Sequence, residues 1–441
     1  MSTPPEQPPP AYSETEREQM SVADTPQSIP RVPLNGGWRA WASVAGASLL
    51  QFCSLGYVNA CMIFQLHYKK HLWKDRTPSS LAWITTIHIF LLFGFGPSFG
   101  LLYDIHGRRM VPLCCVFAVF SVGMLAFAKE YWEALISRCV LAAASAGLYL
   151  PAVAVTTQWF PAKKGLALGI VAAGSSLGGI IYPCILPAMI RRFGFADAVI
   201  TSGFIQVILM LIDHELHLSP FPPLGKRGWE EKSRQRRSRI RVSNSWPWML
   251  FASGCFFTMW GLWVPINRLQ EVATLPGREN FAYYIVAIAN TGSLVGCIVQ
   301  GWTSDIMGQF NAICLVTSFT GIITLVFWPL LEQHMSLAGL IPFALLYGFV
   351  SGGFMSIGPA CVVALAGDRV EEMIGVKLGG FCLAIALGVL TVRPIENAVR
   401  DRERDKSVGL MCFAGASMLL GAAFMVATRV AKGGSKLLKK V

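Results

Sequence analysis

The residues of this chain that could do chemistry are the few polar and ionisable ones standing inside long apolar runs. His88 lies one third of the way into the run from Leu81, about 10 Å deep at the helical rise of 1.5 Å per residue. Arg138 stands seven residues beyond Tyr131 in another run. An ionisable group in hydrocarbon is a functional-site candidate by default, because it must find a carboxylate, carbonyls, a solute anion or a route back to the interface. A neutral His88 hydrogen-bonded within a bundle is the plainer alternative to a titrating one. Asn59, Asn290 and Ser293 offer hydrogen-bonding groups, and Phe93 and Phe354 apolar ones, for the wall of a solute site; each could equally serve helix packing. Arg393 and Glu396 are spaced to pair on one helix face, as a structural ion pair at a rim rather than a coupling pair. Nucleophile elbow, Walker loop, HExxH and paired intramembrane carboxylates are all missing. Recognition and movement of a solute are therefore expected, not catalysis. With no nucleotide site, any concentrative work must draw on an ion or solute gradient; no cofactor is expected, and a proton is one ion that could be coupled.

The elements that position these residues follow from composition. Of the 441 residues 54% are hydrophobic and 14% charged, with a mean hydropathy of +0.51, against about 25% charged in a soluble domain. Spans need roughly 17–25 apolar residues, and about twelve such runs occur, near 40–65, 81–103, 110–128, 132–158, 165–189, 195–214, 247–266, 281–303, 311–331, 337–366, 374–392 and 407–428. The fold class is all-α integral membrane. The net charge of +12 does not mark a nucleic-acid binder, because its excess falls on the loops that share a side with both termini. That bias places the termini in the cytoplasm, resting largely on Lys226 to Arg241. The 12 Cys all fall in predicted spans without CxxC spacing or a His cluster, so free thiols are expected and no metal site.

A charged turn, Gly100-Leu-Leu-Tyr-Asp104-Ile-His-Gly107-Arg108-Arg109, separates two of these runs and must lie at a membrane face. Its spacing returns at Gly301-Trp-Thr-Ser-Asp305-Ile-Met-Gly308, which marks a duplicated membrane protein. In each copy the glycines allow close helix approach and a tight turn, and the aspartate can cap a neighbouring helix N-terminus. Arg108 and Arg109 can pair with acidic groups or lipid phosphates. Such contacts would latch the two halves in one conformation. Gln309 and Phe310 stand where the first copy has arginines, so the second latch is expected to be the weaker.

Trp38 and Trp41 open the first run, and Trp159-Phe160-Pro-Ala-Lys163-Lys164-Gly-Leu-Ala-Leu-Gly169-Ile-Val-Ala-Ala-Gly174 opens the fifth. Both stretches resemble signatures of the monocarboxylate-porter family of the major facilitator superfamily, in its fungal form; the loop motif and Arg138 also resemble that superfamily's. The resemblance covers residues 35 to about 430. It implies two six-helix halves that rock about a midplane site in alternating access. In animal members of the family a first-span lysine and an eighth-span Asp/Arg pair are expected to bind and protonate the substrate carboxylate. The matching positions here are Asn59, Ser293 and Cys297. An uncharged cavity is therefore expected, suited to a larger neutral or weakly acidic organic molecule.

The expected organisation is a Pro-rich tail (1–34), a first half (35–215), a basic linker lying on the anionic inner leaflet (216–245), a second half (246–430) and a basic tail (431–441). Within the first tail, Pro9-Pro10-Ala11-Tyr12 is a PPxY sequence. It could recruit a WW-domain ubiquitin ligase, or be a chance match in a Pro-rich segment. The functional expectation is a secondary active or facilitative transporter of a small organic solute, a monocarboxylate or related metabolite, in the plasma membrane. An efflux pump for a fungal secondary metabolite and a transport-deficient sensor or scaffold are the alternatives.

Overall fold

In hydrocarbon a chain must satisfy its backbone hydrogen bonds within each crossing segment, and apolar runs this long do so as helices. The computed structural model describes residues 36–240, 246–273, 281–333, 336–367, 373–403 and 408–434, and every regular element among them is helical. They belong to one compact unit, Leu34–Val441; a second unit, Met1–Pro33, lies outside the described residues, as does the PPxY sequence.

Helices α1 (Trp38–Gln51) and α2 (Cys61–His67) make span one, and α3 (Pro78–Gly94) and α4 (Gly96–His106) span two. Spans three to six are α5 (Val111–Phe127), α6 (Tyr131–Trp159), α7 (Lys164–Phe193) and α8 (Phe195–Leu216). The linker contains α9 (Gly225–Ile240). Span seven is α10 (Trp246–Leu262) with α11 (Val264–Ala273). Spans eight to twelve are α12 (Phe281–Met307), α13 (Gln309–Gln333), α14 (Leu337–Ala366), α15 (Ile374–Glu403) and α16 (Val408–Gly433). Among the described residues ten stretches are long and apolar enough to cross a membrane. One of them, Ser80–Phe127, doubles back at Gly107 and crosses twice; the first run, interrupted by π-turns at Phe52–Gly56 and Tyr68–Leu72, is the twelfth.

Helix faces divide between lipid and core. Leu113, Val116, Phe117 and Phe120 of α5 are exposed, as a lipid-facing stripe should be, while Cys114, Ala118, Ser121 and Val122 are buried. Across that buried face Ser121 and Ser137 of α6 exchange hydrogen bonds to each other's carbonyls, at 2.6 and 2.8 Å. Polar groups in a membrane interior are satisfied between helices in this way.

The halves meet along two glycine-lined seams. In one, Gly165 and Gly169 of α7 lie against the backbone of Gly301 and Cys297 of α12; in the other, Gly96 and Gly100 of α4 lie against Gly379 and Gly375 of α15. A Cβ at any of these glycines would overlap the opposite helix, its backbone in every case but Gly96, where the Cys382 side chain stands in the way. Gly174 and Gly178 turn the other way, onto Ser48 and Gly56 of span one. In the linker, residues 217–224 are irregular and α9 is a helix. The membrane face that carries the linker is called the linker face below.

Candidate solute chamber and gate

Spans one and seven hold equivalent places in the two halves, and both are broken near mid-depth. In span one the helix stops at Asn59 and restarts after Ala60. In span seven Trp263 separates α10 from α11, where Pro265 cannot supply the backbone donor a continuous helix needs. The breaks face a space between the halves made of two adjoining cavities of about 90 and 60 Å³, both lined by Asn59, Trp263 and Ile266. Discontinuous helices at a mid-membrane cavity are a recurrent way to offer polar groups to a solute.

The larger part of the chamber is lined by Ser175 and Ser176 of α7, Asn290, Ser293 and Cys297 of α12, and Ser351 of α14. Ser176 donates to Ser293 across the seam at 3.0 Å. Asn290 donates to the Val286 carbonyl at 2.9 Å, and Asn59 to that of Leu55 at 3.4 Å. Each asparagine thus spends one amide hydrogen on its own helix and lines the cavity with the rest. The Trp263 indole N–H is buried without a hydrogen-bond partner, a donor the sequence reading missed. The Trp-Val-Pro sequence that breaks span seven was the available signal.

The smaller part, toward the face opposite the linker, overturns the expectation of an uncharged cavity. Arg393 of α15 lines it together with Gln65, Thr85, Thr86, Asn267 and Gln270. Its guanidinium lies 3.0 Å from the Glu396 carboxylate and donates to Thr86 Oγ1 of the other half at 3.2 Å. Asn267 donates to the second Glu396 oxygen at 3.3 Å. The pair expected at the rim is therefore a chamber element that bridges the halves, because helical phase on α15 turns position 393 inward.

The other sequence candidates stand behind this wall. Arg138 is buried in the first half, where its guanidinium donates to Cys61 Sγ at 3.3 Å and covers the Phe64 ring at 4.5 Å from the centroid. His88 is buried beside it, with neither ring nitrogen in a hydrogen bond. Phe93 packs edge-on to Tyr149 at 5.5 Å. Phe354 is buried as well. None of these four lines either cavity, which corrects their expected place in the wall: Arg138, His88 and Phe93 face neighbours in their own half, and Phe354 is buried away from both cavities.

At the linker face two aspartates close the halves. Asp104 accepts from the Gly375 and Val376 N–H groups at 2.9 and 3.0 Å, at the start of α15. Asp305 accepts from Gly165 and Leu166, both at 2.8 Å, at the start of α7. Each carboxylate thus takes two unpaired donors at the positive end of a helix in the opposite half. Gly107 and Gly308, with φ of +60 and +97, supply the left-handed turns that end the two motifs. The second aspartate thus reaches helix N–H groups at distances like those of the first although no arginines follow it. Arg108 donates instead to the carbonyls of His214 and His217, where α8 ends, and Arg109 is exposed. Of the fifth-span signature, Phe160 is buried against the half-exposed Trp41 at 4.8 Å, Trp38 and Lys163 are exposed, and Lys164 begins α7. A separate cavity of about 370 Å³ lies at the linker face beneath Phe221–Leu224 and beside Arg108. It is a surface recess roofed by the linker, not a mid-membrane site.

Twelve spans in two like halves, a polar chamber between them and paired aspartate clamps at one face define a non-enzymatic membrane transporter. The sequence model of the Major Facilitator Superfamily matches residues 41–389, and the chain belongs to that family. It is 57% identical to an MFS-type transporter, hasB, of Aspergillus fumigatus over 98% of both chains. It is 32% identical to a fujikurins efflux protein of Gibberella fujikuroi, over 97% of this chain and 92% of that one. It is equally similar, at 32%, to an aspyridones efflux protein of Emericella nidulans, over 91% of this chain and 80% of that one.

Proposed function

We propose that this chain exports a weakly acidic secondary metabolite across the fungal plasma membrane by alternating access, as a monocarboxylate-porter-like member of its superfamily with the linker face in the cytoplasm. The observation that carries the reading is Arg393, which lines the chamber among uncharged hydrogen-bonding groups while its guanidinium is paired with Glu396, a residue that does not line the cavity. A part-buried guanidinium favours an anion or an acidic hydroxyl, while Asn59, Asn290, Ser293 and the free Trp263 N–H suit carbonyls and hydroxyls. The names of the two efflux relatives support the direction of transport. The chamber is small beside the roughly 300 Å³ at which sites for drug-sized ligands begin. This conformation is therefore the contracted one, clamped at the linker face, and loading requires the halves to part.

The test is uptake into inside-out vesicles of organic acids and fungal culture extract, followed by mass spectrometry, with and without a proton gradient. Selective accumulation of acidic metabolites, lost in Arg393→Gln, supports the reading. Accumulation of neutral compounds that is indifferent to Arg393 rejects the acidic substrate. Absence of any flux from folded protein in oriented vesicles rejects export and returns weight to a sensor.

A further inference from the structure

Beneath the first clamp lies a second titratable pair with no part in the chamber. Asp213, in the last turn of α8, and His217, just beyond it, are both essentially inaccessible, and His217 Nδ1 lies 3.3 Å from Asp213 Oδ1. Gly46 of α1 packs so closely on them that a Cβ there would touch both. The chain around the pair is pinned: Ser43 and Trp159 both donate to the Leu218 carbonyl, at 3.1 and 2.6 Å. The carbonyls of His214 and His217 hold Arg108. The buried pair is therefore tied through these carbonyls to Arg108, in the short turn that directly follows the helix end carrying Asp104, which accepts from the two N–H groups of α15.

Two carriers of charge so deeply buried are stable together and costly apart. With one shared proton the pair is neutral overall, either as an imidazolium with a carboxylate or as two uncharged groups. Loss of that proton leaves a lone buried carboxylate, and among the described residues the fixed cation held on the same chain end is Arg108. The other groups facing the pair are Cys53 of span one, Cys115 of α5 and, on the surface, His214, whose ring lies 3.4 Å from Arg108. None of these can replace the proton. The deprotonated pair is relieved by hydration or by drawing Arg108 from the carbonyls, and either movement disturbs the turn that follows Asp104.

We propose that Asp213 and His217 form a proton-binding switch that holds the linker-face gate shut when protonated and loosens it when deprotonated. The linker-face cavity is lined by Asp104, Arg108 and His214, so the arginine that the chain around the pair holds is open to solvent although the pair itself is not. With that face in the cytoplasm, as proposed above, acidification of the cytosol would close the loading side of the transporter.

Hydrogen–deuterium exchange on the purified full-length protein reads the gate directly, whichever way the protein sits and whatever it carries. Protection of the segments beginning α15 and α7 would be measured between about pH 5.5 and 8 and corrected for intrinsic exchange. A several-fold loss of protection in both segments with rising pH is expected, and it should be flat in Asp213→Asn. His217→Gln, which keeps the carboxylate without its partner, should be poorly protected at every pH. His214→Gln should keep the slope. A wild-type protein without a slope overturns the proposal. So does Asp213→Asn with lower protection but the same slope, which would make the pair merely structural, or loss of the slope in His214→Gln.

Discussion

Arg393 carries more of the chamber's chemistry than any other side chain, and its removal has two separable consequences. Arg393→Met leaves Glu396 buried without its cation and removes the bond to Thr86. Breaking one side of a fully buried pair costs about 3–5 kcal/mol, less here because Arg393 is part-exposed. A lowered Tm is expected, recovered in Arg393→Met/Glu396→Leu, which leaves no orphaned charge. Transport of acidic solutes should stay lost in the double variant, since the chamber cation is still gone. Recovery of both stability and transport would mean the pair is only a strut. Asn59 and Ser293 could be read as chamber residues from the positions they match in the resembled family, but Arg393 could not. Motif alignment looks for charge on span eight, and hydropathy cannot report the helical phase that turns position 393 toward the cavity. Asp213 and His217 escaped for a different reason. They sit at the junction of an apolar run with a charged loop, where ionisable residues normally face water.

At the scale of elements, the clamps make the sharper case, because each is a carboxylate placed on the first free N–H groups of a helix. Asp104→Asn and Asp305→Asn should each shift the gate toward opening by a similar amount. Hydrogen bonds to charged groups contribute about 1.5–3 kcal/mol each, much of which an asparagine acceptor retains, so about tenfold in the gate equilibrium is expected per site. Distance measurements between spin labels on α4 and α15 would read it, and an unshifted Asp305→Asn would restore the weaker second latch that the missing arginines implied. Gly100→Val should act oppositely to a clamp-strengthening change. Its side chain would meet the Gly375 backbone, so the same labels should report a seam that cannot close in a protein that still folds. The spans themselves were legible because membrane helices announce themselves by length and apolarity. Helix α9 was not, since Gly225–Ile240 has almost no apolar residues. Its signal was instead the Glu230–Arg234 and Glu231–Gln235 spacing, which places polar partners on adjacent turns.

For the whole molecule, the two clamps lie on opposite seams yet oppose one movement, the parting of two rigid halves. In a rigid-body transition both clamps are intact in the closed state and both broken in the open one. Their free energies then add, and Asp104→Asn/Asp305→Asn should shift the gate equilibrium by the product of the single shifts, roughly a hundredfold if each gives about tenfold. If the seams open one after the other, the double variant will do little more than the stronger single one. Each seam is held by glycine-to-backbone contacts along more than one turn, Gly165 with Gly169 on one side and Gly96 with Gly100 on the other. Such contacts slide poorly and separate together, and this favours the multiplicative result. The chamber's outer bridge supplies the complementary reading. Arg393 spans the halves in the part of the chamber away from the linker face, so a variant that opens the linker face should leave the Arg393–Thr86 contact intact. A cysteine pair at Thr86 and Arg393 should then cross-link more readily, not less, in Asp104→Asn/Asp305→Asn, whereas falling cross-linking would show the two gates opening together and would exclude alternating access.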